Sequence, residues 1–155
     1  MKKIFFAACT AAFALVLKLE AGGRIVVCER GREALYSIAI PANPSPSERY
    51  AAEELQEHIE KLVGQKLPIV SNDGCSSAKR IFVRMAKIDG NNADDAFRLR
   101  TDDVGNVYAE GGRRGVLYAV YELLETYGGI GWYASWHTHI PKADKFELQI
   151  GRAHV

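Results

Sequence analysis

The chain has 155 residues, 48% hydrophobic and 25% charged, with a formal net charge of +1 and a pI near 7.7. That is enough apolar material for one sizeable core and argues against a second domain. The near-neutral balance lacks the basic footprint of a nucleic-acid binder or of a protein held on anionic lipid.

Lys2 and Lys3 precede an apolar run from Ile4 to Leu17, long enough for the core of a signal peptide and short of the ~20 residues a spanning helix needs. Residues 1–22 are therefore expected to direct export and to be removed near Ala21 to Gly23, leaving no stable membrane span. A lipoprotein cysteine at Cys9 would leave too short an apolar core before it. Cys28 and Cys75 remain in the mature part. In an oxidising compartment they could pair, or Cys28 could be a small buried hydrophobe within a strand.

Arg24 to Glu29 (RIVVCE) and Ala34 to Ile40 (ALYSIAI) are strand-like runs around Arg30, Gly31 and Arg32, which predicts a hairpin. After the breaker PANPSPS, Ser45, Pro46 and Glu48 form a helix-start signature, a capping hydroxyl with a glutamate three residues on. The helix should run from about Pro46 to Val63 and stop at Gly64. Ala51, Ala52, Leu55, Ile59, Leu62 and Val63 form its buried face, with Glu53, Glu57, Glu60 and Lys61 outside. His58 borders the apolar stripe and has no His or Cys a turn away, so it reads as a boundary side chain.

Leu67 to Val70 holds Pro68 and reads as an edge strand. Arg80 to Met85 (RIFVRM) is a strand that lacks the glycine and second aromatic of an RNA-binding sheet. Asp89, Asp94 and Asp95 in the polar loop that follows lack calcium-loop spacing and read as turn residues. Ala96 to Thr101 and Val107 to Glu110 alternate cleanly around a loop with Gly105, predicting a hairpin with Phe97 and Leu99 on one side and Arg98 and Arg100 on the other.

The run GGRRG then opens a second helix, whose Val116, Leu117, Val120, Leu123, Leu124 and Tyr127 share one face. Burying those six side chains would gain on the order of 10 kcal/mol before entropy is charged. An arginine pair at a helix start can hold phosphate, but GGRRG matches neither dinucleotide nor P-loop spacing. It reads as a tight strand-to-helix turn, with Gly128 and Gly129 ending the helix. Two helices, each amphipathic on one side, predict an α+β fold: a two-layer α/β sandwich of a mostly antiparallel sheet with both helices on one face. The sheet's other face then needs polar residues or a partner.

Beyond Tyr127 come Trp132, Tyr133, Trp136, His137 and His139. Trp132, Trp136 and His137 are the candidates for carbohydrate contact or for packing against a neighbouring domain. His137, His139 and Asp144 fall short of a metal site, and no metal or other cofactor is expected. No GxSxG, HExxH or CxxC occurs, and the acids lie on helix exteriors or in turns, so no catalytic residue is assigned.

The stretches SERYAAEELQEHIEKLVGQKLPIV and RRGVLYAVYELLETYGGIGWYAS with THIPK resemble, in that order, the small α/β domain preceding the catalytic barrel of bacterial α-glucuronidase-like and β-N-acetylhexosaminidase-like glycoside hydrolases. The resemblance covers about Gly23 to Leu148 and is strongest to exported proteins with an α-glucuronidase-type N-terminal domain. It implies a hexosaminidase N-terminal-domain-like fold over residues 23–149. It also implies a non-catalytic accessory role in a secreted, periplasmic or cell-surface glycoside hydrolase, with the downstream barrel of the same polypeptide as partner and the catalytic acids in that barrel. A free-standing carbohydrate-binding module and a ferredoxin-like regulatory or small-ligand domain are the alternatives. The last six residues, Ile150 to Val155 (IGRAHV), match the in-frame translation of a short sequencing adapter, so the natural chain is expected to continue.

Overall fold

A computed structural model describes residues 23–72, 79–88, 93–134 and 136–150. Residues 1–22, expected to direct export, Cys75, Asp89 and residues 151–155 lie outside these described residues. The elements run Ile25–Glu29 (β1), Tyr36–Ile40 (β2), Pro46–Val63 (α1), Ile69–Ser71 (β3), Lys79–Met85 (β4), Phe97–Thr101 (β5), Val107–Gly111 (β6), Gly115–Gly128 (α2), Gly131–Ala134 (β7), His137–His139 (β8) and Lys145–Leu148 (β9). The last three strands have no counterpart in the elements read from the sequence. None of the described helices is long and apolar enough to cross a membrane.

Helix α1 starts as its sequence dictates. The Glu48 amide donates to the Ser45 hydroxyl, while the Ser45 amide donates to the Glu48 carboxylate at 2.8 Å. Glu48 is itself buried, because its other oxygen accepts the Met85 amide at 2.6 Å and so ties the helix start to the end of β4. Gly64 closes the helix at φ 80°, a left-handed conformation that a side chain would strain. All six residues assigned to the inner face of α1 are buried. On α2, Val116, Val120, Leu123 and Leu124 are buried while Leu117 and Tyr127 are partly so.

The two helices pack on each other and on one face of a five-stranded sheet ordered β3-β2-β4-β6-β5. The core lies between these layers, where Ile38, Ile81, Val83, Leu99, Val107 and Ala109 face the helices. The α+β class and the two-layer sandwich are thus as expected. The strand directions are not: β2 is parallel to β3 and to β4, and β4 is parallel to β6, leaving only β5–β6 antiparallel in this sheet. For β2 and β3 the reason is α1. Its 18 residues carry the chain back along the sheet, so β3 runs in the same direction as β2 with Ile69 opposite Ile38, the crossover that parallel pairing requires.

The expected hairpin of β1 with β2 does not form either. Its turn is present, with Gly31 at φ 72°, but β1 leaves the main sheet and pairs antiparallel with β9, matching Ile25 to Leu148 and Cys28 to Phe146. Cys28 is fully buried there, and burial pushes its thiol up to about 11, which makes it an inert core residue. Ile150 is buried as well.

The face of the sheet away from the helices supplies its own polar cover. Arg84 on β4, Glu110 on β6 and Arg98 on β5 stand side by side across three strands, with Phe82, Tyr108 and Arg100 in the next row. Glu110 is only 1% exposed. Its carboxylate accepts Nε and Nη2 from each of Arg84, Arg98 and Arg100 at distances of 2.5 to 3.3 Å. Burial would push the Glu110 carboxyl up, but hydrogen bonds from Arg100, Arg98 and Arg84 outweigh it and bring the group down to about 2. Tyr108 is stacked against Phe82 with centroids 4.8 Å apart, and the Arg100 guanidinium lies 3.7 Å over the ring.

Candidate functional site

Gly129, left-handed at φ 65°, ends α2 and turns the chain into the hairpin of β7 and β8, where Trp132 pairs with Thr138 and Ala134 with His137. The structure divides the three aromatic candidates named above. Trp132 turns inward: its indole meets Tyr121 of α2 edge-on at 5.1 Å and lies 5.9 Å from the His58 ring of α1. Trp136 is 87% exposed at the far end of the hairpin, and His137 stacks on the exposed Tyr133 with centroids 5.8 Å apart.

Around Trp132 the helices assemble polar groups that the sequence reading did not join. The Tyr121 hydroxyl donates to the Glu54 carboxylate at 3.4 Å, and His58 Nδ1 lies 2.9 Å from the Glu54 carbonyl and 3.5 Å from its carboxylate. Tyr50 shares the same acid, and that hydrogen bond, followed by the Glu54 charge, raises its phenol pKa. Burial, then Glu54, raises that of Tyr121. His58 is buried, beside Trp132, and not at a boundary. The available signal was the stripe Tyr50, Glu54, His58, four residues apart on α1. Its partner Tyr121 lies 67 residues from Glu54, so only the tertiary fold reveals the cluster.

The arginine pair and the loop acids account for each other. Arg114 pairs with Asp95 at 2.5 Å and Arg113 with Asp94 at 3.6 Å. The amides of Arg114 and Gly115, the donors an anion would need, both reach the Asp94 carbonyl at 2.8 Å. A Cβ on Gly112 would collide with the Ala93 carbonyl, and one on Gly115 with the Ala96 carbonyl. The glycines are there to admit the segment before β5, as the tight-turn reading holds. At β8, His137 and His139 are exposed while Asp144 lies 3.5 Å from Arg30, and no group of three metal-binding side chains occurs among the described residues.

No protein-family model matches this sequence, and no curated protein does. Solved structures do. A family GH115 4-O-methyl-α-glucuronidase with specificity for decorated arabinogalactans superposes with a TM-score of 0.51 at 16% identity, over 84% of this chain and 18% of that one. The fold recurs inside a glycoside hydrolase. Weaker likenesses are to a GH138 enzyme targeting pectin rhamnogalacturonan II (TM-score 0.49, 14% identity, 68% of this chain and 11% of that one) and to the N-acetyl-β-hexosaminidase of Streptomyces plicatus (0.43, 22%, 64% and 17%). This chain therefore spans less than a fifth of the length of each of these three proteins.

Proposed function

We propose that this chain is a non-catalytic accessory domain of a secreted glycoside hydrolase, held beside a catalytic barrel of the same polypeptide. The observation that carries this is the superposition of 84% of the chain on a segment amounting to 18% of an α-glucuronidase. The chemistry of the acids agrees. A glycosidase acid must hold its proton near neutral pH, and so needs a raised pKa, whereas Glu110 is drawn down to about 2 by three arginines. Glu48 is spent on the start of α1 and on Met85. In this reading the β7–β8 hairpin, with Tyr133, Trp136 and His137 exposed, packs against the barrel, and Trp132 anchors the hairpin to both helices. The purified chain is expected to give no turnover of aryl glycosides or glucuronoxylan oligomers; turnover by it alone overturns the proposal. Export is checked separately by N-terminal sequencing of secreted protein, which should begin near residues 22–24.

The exposure of Trp136 favours one second reading, in which the hairpin tip stacks on a sugar ring and the chain acts as a carbohydrate-binding module. Calorimetric binding of neutral glycans by the purified chain, abolished in Trp136→Ala, would establish it. Absence of binding leaves the packing role.

A further inference from the structure

We infer that the sheet face opposite the helices binds carboxylate groups of an acidic polysaccharide. That the polyanion is a saccharide rests on the carbohydrate context proposed above; that the face takes an anion rests on its own geometry. Three guanidinium groups converge on one carboxylate, so Glu110 neutralises one positive charge and two remain, fixed in place on a rigid sheet. Glu110 takes the Nε and Nη2 of each arginine, which leaves the Nη1 edges over from that carboxylate. All three side chains keep roughly a third of their surface open to solvent. Their orientation is already set, so a second carboxylate would meet donors that need no further ordering.

The charge of the whole molecule is sorted by layer in the same sense. Helices α1 and α2 carry seven glutamates against Arg49 and Lys61, whereas the open face of strands β2 to β6 carries Arg80, Arg84, Arg98 and Arg100 against Glu110, with Lys79 on the alternate side over Tyr36. A net charge of +1 conceals this separation. Two observations narrow the class of polyanion. The exposed large hydrophobics lie elsewhere, on the helices, the hairpin tip, the loops and the end of β4, so this face lacks the apolar anchors of a protein interface. Tyr108 is covered by Phe82 on one side and by Arg100 over its ring, which takes that ring away as a platform for nucleic-acid bases. A hydrated polymer bearing carboxylates at intervals, a polyuronate, fits what is left.

The test is binding of the full chain to polygalacturonate at low salt, read by calorimetry or affinity electrophoresis. Expected are an affinity that falls steeply with added salt, loss of binding when the polymer's carboxyls are reduced to alcohols, and at least a several-fold loss in Arg98→Gln. Glu110→Gln should bind more tightly, since it removes the carboxylate on which the three arginines converge while keeping an acceptor for them, and leaves Asp102, bonded to Tyr108, as the remaining acid beside them. Thermal melts confirm that each variant is folded, and the wild-type salt dependence needs no variant. Equal binding to the reduced polymer, unchanged affinity in folded Arg98→Gln, no binding at low salt, or equal or tighter binding to polyglutamate or single-stranded DNA would each overturn the inference. Those results leave the accessory role standing, because that role fails only on turnover by the chain.

Discussion

A carboxylate that has given up nearly all contact with water persists at Glu110 because three arginines replace the water. Its folded pKa of about 2 lies below the ordinary 4.5, so the stability it contributes is complete above about pH 4.5 and drains away as the pH falls towards 2. Acid unfolding monitored by circular dichroism should therefore show a loss of about 2 to 3 kcal/mol across that window, and Glu110→Gln should flatten it. Asp102 works in the same direction on a smaller scale: burial raises its carboxyl, and hydrogen bonds from Asn106, Tyr108 and Val104 lower it further than that. At the turn into α2, Gly115→Ala would drive a methyl group into the Ala96 carbonyl, and because backbone cannot swing aside, destabilisation of roughly 3 kcal/mol or more is expected in urea titrations. Ser45→Ala should cost only about 1 kcal/mol, the usual worth of a helix cap.

The two helices were legible in the sequence, α1 down to both caps and α2 at its glycine end, because Ser45 with Glu48 and the terminal glycines act within one turn of chain, whereas α2 starts after Arg114 with no side-chain cap. So was the hairpin of β5 and β6, whose loop glycine sits at φ 89° as alternation and turn chemistry require. Strand partners were not. A run such as RIVVCE carries no mark of which strand it will join, and β1 finds β9 more than a hundred residues away. The parallel pairing could have been inferred, since a helix of 18 residues between two strands is itself a crossover. β9 escaped notice because KFEL is short, yet Phe146 and Leu148 are buried beside Val27 and Cys28 in the core. Phe146→Ala should destabilise the fold by about 3 to 5 kcal/mol, more than any surface change on β8, as equilibrium denaturation would show. Trp136→Ala, by contrast, should leave the unfolding free energy within about 0.5 kcal/mol, because that side chain touches water over most of its surface.

Across the whole molecule, the aromatic candidates illustrate what pattern reading reaches and what it misses. It picked out Trp132, Trp136 and His137 by residue type, but only the packing of α1 on α2 separates an inward Trp132 from an outward Trp136. Of the arginines on the open sheet face, alternation in AFRLRT placed Arg98 and Arg100 on one side of their strand, while Arg84 in RIFVRM was not joined to them. Their common focus on Glu110 appears only once β6 is inserted between β4 and β5.

The pairing of β1 with β9 has a mechanical consequence. Ile25 and Leu148 face each other, so the polypeptide enters and leaves at the same end of an antiparallel ribbon. Tension applied through both flanks would load these rungs one after another instead of all together. The ribbon would peel from Ile25 and Leu148 inward at low force, before the helices and the five-stranded layer bear any strain.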